Sequence, residues 1–357
     1  MVTGARVAWV LIAGLLTACA QTPRMQIFDP HAGIPQQDLP LWPTPPEVPR
    51  YAYAGQLTGE ENFHDPEGKG GNGLGNFFRL LVGLGKEKRE PVVLQRPQGV
   101  ITDGRDRIFV SDVSRQAVYV FDKQAGQLQV WELAAPGRRF VAPIGMAVNE
   151  RGWLFVSDAE LGFVAVLDRD GRPIDAIGRD LLLRPTGIAR DAANARLFVA
   201  DTRANNIKIF SETGELLDTL GHEGDASDAL NAPTYLAFSN GRIFVADTLN
   251  SRVQVFDEEG NHLRYFGERG LYIGNLARPK GISVDHDGHI YVVESYFDYL
   301  LVFDEQGQLL LPIGGTGRQP GQFYLPAGVW ADQDGQVYVA DMFNGRVSVF
   351  QFLGGTP

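Results

Sequence analysis

The stretch RIFVADTLNSRVQVF, from Arg242 to Phe256, decides the fold because it recurs along the chain. Apolar residues alternate with other residues on both sides of a polar bend, which predicts two short β-strands. Asp247 ends the first strand, and Asn250 and Ser251 occupy the bend, where short polar side chains bond nearby backbone groups. The other copies are RIFVSDVSRQAVYVF from Arg107, WLFVSDAELGFVAVL from Trp153, RLFVADTRANNIKIF from Arg196, HIYVVESYFDYLLVF from His289 and QVYVADMFNGRVSVF from Gln336.

Two further markers repeat with this stretch. The acidic residues that end the first strand are spaced by 46, 43, 46, 47 and 47 residues: Asp112, Asp158, Asp201, Asp247, Glu294 and Asp341. A proline opens an apolar run upstream of each: Pro97, Pro143, Pro185, Pro233, Pro279 and Pro326. A glycine-led strand, such as GELLDTLG from Gly214, follows downstream. Four strands per unit of about 40 to 50 residues predict an all-β fold, a six-bladed β-propeller with four-stranded blades.

Length and composition limit the function classes. The six units fill residues 97–353 of the 357, which favours one repeat domain. The formal net charge of −11 argues against binding nucleic acid through its phosphates. Cys19 is the single cysteine, so an intramolecular disulfide and a C-x-x-C-H haem attachment are both excluded.

Residues 1–18 have the pattern of an export signal: Arg6 precedes an apolar run that is too short to span a bilayer. The run ends in LTAC, with the only cysteine at its last position, and this resembles a bacterial lipobox. The resemblance implies cleavage before Cys19 and a lipid anchor on its sulfur. Ala20 then implies sorting to the outer membrane, on its periplasmic side. The alternative is an ordinary signal peptide with a chance cysteine.

The segment 19–49 is predicted to be a tether. Eight prolines fall between Pro23 and Pro49, a composition typical of a semi-rigid extended spacer. The propeller is predicted to occupy residues 50–357.

The strand RYAYAGQL, residues 50–57, is isolated from the repeats. The sixth unit ends at Leu353 without a fourth strand, and an open ring would expose sheet edges. We therefore predict that residues 50–57 supply the outer strand of the last blade. The alternative is a stray strand in the linker, which would leave that blade incomplete.

Residues 58–95 form the largest departure from the repeat. Their glycine-rich part lacks the G-x-x-x-x-G-K-[ST] context of a phosphate loop. The apolar piece from Phe77 to Leu84 has two interpretations: it packs on its own domain, or it covers a partner or a membrane surface.

The predicted binding face is the side of the disc that carries the acid-led turns and the connectors between blades. The repeated acids are interpreted as turn-fixing residues. The units that depart from the pattern are more informative. Unit five has aromatic residues in its turn, and Tyr235 replaces the glycine of other units. These aromatics either anchor a partner or fill space under the insertion. The predicted binding residues are Glu294, Tyr296, Phe297, Tyr299, Tyr235, Arg115 and Arg203.

No motif argues for catalysis. The histidines show neither H-E-x-x-H nor a repeated position that could surround zinc: His31, His64, His222, His262, His286 and His289. G-x-S-x-G and a Cys–His pair are also missing from the sequence. The D-x-D-G turns at Asp285 and Asp332 lack the later ligands of a calcium loop and are interpreted as hairpin turns. We predict no catalytic residue, no metal and no cofactor.

The units resemble the NHL repeat, most clearly at Pro279–Phe303, Pro233–Phe256 and Pro326–Phe350. The second and fifth units depart from it in the turn. The resemblance implies a propeller that binds other molecules, and the whole chain is similar to bacterial NHL-repeat lipoproteins. Lyases of the family hold zinc with histidines that have no match here. The prediction is a monomeric, lipid-anchored module for protein partners in the cell envelope. The alternative is a small-molecule site or a lyase or hydrolase site in the central channel.

Overall fold

The computed structural model describes residues 26–34, 39–64 and 90–354. Within them six antiparallel sheets of four or five strands form a ring. The first strand of each blade packs against the first strand of the next, and that of blade 6 packs against that of blade 1. The fold is therefore a closed six-bladed β-propeller, as the repeats predict. No helix in the described part of the chain is long and apolar enough to cross a membrane.

In blades 1 to 5 the four strands follow chain order from the central channel outwards, and in blade 6 the first three strands do. Blade 1 consists of Pro97–Thr102, Arg107–Asp112, Ala117–Asp122 and Gln127–Trp131. Blade 2 consists of Pro143–Val148, Leu154–Asp158, Phe163–Leu167 and Pro173–Ile177. Blade 3 consists of Pro185–Asp191, Arg196–Asp201, Asn206–Ser211 and Leu216–Leu220. Blade 4 consists of Pro233–Ser239, Arg242–Asp247, Arg252–Asp257 and His262–Phe266.

The remaining elements complete the ring and its loops. Blade 5 consists of Pro279–Val284, Ile290–Glu294, Tyr299–Phe303 and Leu309–Gly314. Blade 6 consists of Pro326–Ala331, Gln336–Asp341, Arg346–Phe352, Tyr51–Leu57 and Leu41–Trp42. Two small sheets pair Ile27–Phe28 with Phe63–His64 and Leu133–Ala135 with Arg138–Arg139. The short 3₁₀ helices are Glu60–Asn62, Thr248–Asn250 and Met342–Asn344.

The core lies between the blades. The second and third strands are buried along nearly their whole length because each blade has a neighbour on both faces, as Ala117–Asp122 illustrates. Outer strands such as Leu216–Leu220 are mostly exposed. This pattern explains why the middle strands are nearly continuous apolar runs, whereas outer strands also contain polar residues.

Hydroxyl groups connect neighbouring blades. The Ser111 Oγ donates to the carbonyl oxygen of Ile144 in blade 2, at 2.6 Å. The Thr248 Oγ1 similarly donates to the Pro279 carbonyl in blade 5, at 2.8 Å. These bonds satisfy carbonyls on the free edges of the inner strands, which would otherwise be buried without a donor.

The N-terminal strand closes the ring, which confirms the closure prediction. Tyr51–Leu57 pairs antiparallel with Arg346–Phe352, in the register Val347 to Leu57 and Phe352 to Tyr51. Tyr51, Tyr53 and Leu57 are buried against the core of the blades.

The described parts of the proline-rich segment lie against the propeller. Leu41–Trp42 adds a fifth strand outside the closing strand, and the Trp42 ring meets Phe350 edge-on at 5.4 Å. Ile27–Phe28 pairs with Phe63–His64. This differs from the extended spacer expected for residues 19–49, because Trp42 buries apolar surface that a free spacer would leave in water.

The two ends of the 58–95 segment meet. The Leu94 N–H donates to the Thr58 carbonyl at 2.8 Å, and Gly59 bridges to Val93. The middle of the segment, with the apolar piece from Phe77 to Leu84, lies outside the described residues. Cys19 and the leader lie outside them as well.

Replacing the buried Tyr53 with alanine tests how much the closing strand contributes. We expect Tyr53→Ala to lower the free energy of unfolding by about 3–5 kcal/mol, because a large aromatic side chain leaves a cavity in the seam. Ala52, the half-buried neighbour on the other side of the same strand, provides the control Ala52→Ser. Urea unfolding of both variants checks this, and equal midpoints would contradict the closure role.

Candidate binding face

The turns between second and third strands lie at the same end of the ring as the connectors between blades. The register shows this, because the first residue of each inner strand pairs with the last residue of the second strand, as Pro97 does with Asp112 and Pro279 with Glu294. We call this end the upper face. The lower face carries the other hairpin turns.

A buried carboxylate organises each part of the upper face. In blade 1 the Asp112 Oδ2 accepts the backbone N–H groups of Gln95 and Arg96, at 2.6 and 2.9 Å. Its Oδ1 accepts those of Ser114 and Arg115, both at 3.0 Å. One side chain thus fixes both the incoming connector and the following turn. The corresponding acids that also accept N–H groups from a connector are Asp158, Asp201, Asp247, Glu294 and Asp341.

Glu294 belongs to this set and does not present its side chain on the surface. The residue is 1% exposed, and its carboxylate accepts the N–H groups of Arg278 and Tyr296. Burial raises its pKa above the usual value, although these hydrogen bonds act in the opposite direction. Glu294, one of the predicted binding residues, therefore holds the aromatic turn in place and does not itself face a partner.

The aromatic turn of blade 5 reaches solvent through Tyr296, which is 61% exposed. The ring of Phe297 meets Tyr296 edge-on at 4.9 Å, and Phe297 and Tyr299 are half-buried. Together with the loop from Leu271 to Asn275, Phe297 and Tyr299 line a cleft of about 210 Å³.

Further exposed apolar side chains on the upper face of blades 4 to 6 surround this turn. Leu271 and Tyr272, in the connector between blades 4 and 5, are 84% and 83% exposed. The side chains that we call the apolar patch are Leu249, Leu271, Tyr272, Ile273, Tyr296, Tyr324 and Phe343. Sequence reasoning identified only Tyr296 among them. The run GLYIG, from Gly270 to Gly274, is a signal that could have found three others.

Arginines surround the apolar patch. The Arg269 guanidinium donates to the Leu249 carbonyl at 3.3 Å, and that of Arg96 lies 5.2 Å from the centre of the Phe343 ring. Arg278 and Arg318 are exposed in the adjacent connectors. None of these four arginines forms an ion pair with another residue in the described ranges. These four arginines supply uncommitted positive charge at the border of the patch, where Glu268 is an exposed acid in the same connector as Arg269.

Lys280 adds to this charge near the upper end of the channel. It is half-buried, and burial lowers its pKa to about 8, with a further contribution from Arg278. At neutral pH the ammonium group stays mostly protonated.

Three predicted binding residues lie elsewhere. Tyr235 is 8% exposed and lies inside the central channel, where its hydroxyl donates to the Gln98 carbonyl of blade 1 at 2.8 Å. Burial raises its pKa. Arg115 and Arg203 occupy the turns of blades 1 and 3, each two blades away from Tyr296.

One hairpin turn of the lower face brings possible metal ligands together. Asp285, Asp287 and His289 offer ligand atoms within 4.8 Å of one another. The Asp285 Oδ1 already accepts the N–H groups of Asp287 and His289, and its Oδ2 accepts the Tyr291 hydroxyl at 2.8 Å and lies 2.9 Å from the His289 Nδ1. These hydrogen bonds show that the Asp285 carboxylate stabilises the hairpin turn.

Comparison with family models agrees with this architecture. A model described as a six-bladed beta-propeller matches residues 279–357. The chain is a six-bladed β-propeller. A model of the NHL repeat matches residues 230–256, so its blades include an NHL-type repeat.

Solved structures show the same fold at low identity. A Bacteroides thetaiotaomicron protein of unknown function is 16% identical with a TM-score of 0.57, over 72% of this chain and 70% of that one. The virginiamycin B lyase of Staphylococcus aureus is 11% identical with a TM-score of 0.54, over 72% and 96%. A chain of a nidogen/laminin complex is 17% identical with a TM-score of 0.53, over 71% and 90%. No curated protein matches the sequence.

The Asp285–His289 pair predicts a pH-dependent stability. The Asp285 carboxylate raises the pKa of His289, so the protonated ring stabilises the fold below the unfolded pKa of about 6.5, and this contribution is lost as pH rises through the folded pKa. Burial acts to raise the pKa of Asp285, but hydrogen bonds from His289 and Tyr291 lower it overall, which favours the charged carboxylate.

We therefore expect the wild type to lose more stability than His289→Gln between pH 5.5 and pH 9, by on the order of 1 kcal/mol. Urea unfolding at both pH values measures the difference. The exposed His286 lies next to the same turn, and His286→Gln should keep the wild-type pH step. An unchanged step in His289→Gln would refute the assignment.

Proposed function

We propose that this propeller is a binding module that docks a protein partner on the apolar patch. The carrying observation is the clustering of seven exposed apolar side chains on the upper face of three adjacent blades. Exposed apolar surface of this kind marks interaction sites, and rigid aromatic side chains are the usual anchors. The buried carboxylates hold the supporting turns in place, so the surface needs little ordering when a partner binds.

The charges around the patch favour a partner with acidic residues. Arg96, Arg269, Arg278 and Arg318 border the patch and have no acidic partner among the described residues. An acidic segment would gain attraction from them during encounter and in the complex. The cleft of about 210 Å³ beside Tyr272 and Phe297 has room for one large apolar side chain. The partner is thus a protein segment with an apolar anchor flanked by Asp or Glu.

The channel supports binding better than catalysis. Among the described residues that line it, Tyr235 and Arg190 are the only titratable ones. Tyr235 is bonded to a backbone carbonyl, and Arg190 is paired with Glu150 and Glu212. A lyase or hydrolase needs an acid and a base that converge on the substrate, and these channel-lining residues do not offer that pair.

The proposal includes an envelope location for the module. It rests on the resemblance of residues 16–19 to a lipobox and on the apolar leader before them. A lipid on Cys19 would hold the monomeric propeller at the membrane, where a protein partner in the envelope would meet the upper face.

Removal of exposed side chains from the apolar patch tests the docking surface. We expect the triple variant Leu271→Ala, Tyr272→Ala and Tyr296→Ala to lose at least tenfold in affinity for the partner, because these are its most exposed apolar side chains. Wild type and variant would serve as parallel baits on solubilised envelopes, and Kd would then be measured with the purified partner.

The matched control removes exposed apolar side chains from the outer strands of blades 2, 3 and 4, as Ile174→Ala, Leu217→Ala and Leu263→Ala. It should bind as the wild type does. Arg278→Glu should weaken binding and reduce its salt dependence. A partner held equally by the wild type and the patch variant would refute the docking surface.

Lipid attachment is tested separately. Labelled palmitate should enter the wild-type chain and be absent from Cys19→Ser, because a lipobox cysteine is the only attachment point. Cys19→Ser should also leave the membrane fraction. Labelling of Cys19→Ser would contradict the proposed lipid anchor on Cys19, but it would not affect the proposed docking surface.

A further inference from the structure

The central channel is a cavity of about 400 Å³ enclosed by the first strands of the six blades. This volume falls in the range of about 300–1,000 Å³ that small-molecule pockets occupy. Its lining includes the half-buried Val148, Phe238, Val284 and Trp330, together with inner-strand residues such as Ile101 and Met146 that also pack between blades.

The channel is narrow at its upper end. Inner-strand glycines let neighbouring backbones approach: a Cβ on Gly145 would lie 2.3 Å from the Thr186 carbonyl oxygen, and one on Gly281 would lie 2.4 Å from that of Ala327. Tyr235 replaces the glycine in blade 4 and bonds the Gln98 carbonyl of blade 1. Its ring thus crosses the channel and closes it towards the upper face.

The lower end of the channel is open. The lining residues Val148, Phe238 and Ala331 are half-buried there, whereas Tyr235 is buried at the other end. A recess of about 220 Å³ lies between the lower-face hairpin turns of blades 1 and 2, and it shares Val148 and Arg190 with the channel. The other arginines of the recess are Arg105, Arg107 and Arg169.

Two cations of the recess remain available to a ligand. Arg107 pairs with Asp103 at 3.0 Å and donates to the Arg169 carbonyl. The guanidinium groups of Arg105 and Arg169 are exposed and have no acidic partner in the described part of the chain.

The acids of the recess are already engaged. Glu150 pairs with Arg190, which also contacts Glu212. Asp103 accepts the backbone N–H groups of Arg105 and Arg107. An anionic group that enters the recess therefore meets two uncommitted guanidinium groups and no free carboxylate among its described lining residues.

We propose that the channel and the recess together bind a small carboxylic acid with an apolar body. The body enters the channel from the lower face, and Tyr235 limits its depth. The carboxylate stays in the recess beside Arg105 and Arg169. Burial of the apolar body against the inner strands drives binding, and the arginines select the anion. This site is independent of the partner surface on the upper face.

Titration calorimetry with decanoate tests the proposal, with decan-1-ol as the uncharged probe of the same length. We expect one decanoate per wild-type chain and at least tenfold weaker binding of decan-1-ol. The double variant Arg105→Glu and Arg169→Glu should weaken decanoate binding at least tenfold and leave decan-1-ol unchanged. Arg242, exposed in a different hairpin of the lower face, provides the control Arg242→Glu, which should bind as the wild type does.

Filling the channel should remove binding of both probes. Ala237→Phe, in blade 4, and Ala331→Phe, in blade 6, place a ring in the cavity, and thermal unfolding establishes that each variant is folded. A fluorescence measurement tests binding without filling the channel. Because Trp330 lines the channel, 11-bromoundecanoate should quench the tryptophan fluorescence of the wild type more strongly than that of Trp330→Phe. Wild type that binds no decanoate would overturn the proposal. Equal quenching of wild type and Trp330→Phe, or decanoate binding that survives a folded filling variant, would place the ligand outside the channel and overturn it too.

Discussion

The burial of one carboxylate in every blade is the constraint on which the upper face depends. An ionised group removed from water must be met by donors, because its unpaired burial costs several kcal/mol. Here the donors are backbone N–H groups from two separate loops, as around Asp112. The backbone of these loops, which would otherwise be flexible, is thereby fixed by its hydrogen bonds to the buried carboxylate. In three blades a cation assists: Lys208, Arg252 and Arg346 pair with the local aspartate.

This constraint separates the two faces chemically. On the upper face, the loops are tied down and present apolar side chains such as Tyr272 and Tyr296, which suits recognition of another protein. On the lower face, the hairpin turns are short and charged, and the channel opens among arginines. The closed end at Tyr235 keeps the two surfaces apart. One propeller can therefore carry a protein-docking surface and a small-molecule pocket without sharing residues.

The sequence contained nearly all of the fold and little of the candidate surface. Repeat spacing predicts the blades, and the unpaired edge of the last unit predicts the closing strand. The repeat shows that Tyr235 stands where other units have glycine, but the direction of its side chain into the channel depends on how six inner strands converge. Leu271 and Ile273 were missed because an apolar run in a sequence is usually buried. Trp42 packs on Phe350 through contacts some 300 residues apart, which composition alone does not reveal.

The seam in blade 6 makes the domain indivisible. In an open solenoid, loss of a terminal repeat leaves a shorter array whose remaining units keep their neighbours. Here the strand that begins at Tyr51 pairs with the strand that begins at Arg346, near the other end of the chain. A nascent or truncated chain that ends before Arg346 therefore has an unpaired sheet edge. Deletion of one repeat is consequently not tolerated as it is in a solenoid, since the remaining five blades would have to pack at a different angle to close the ring.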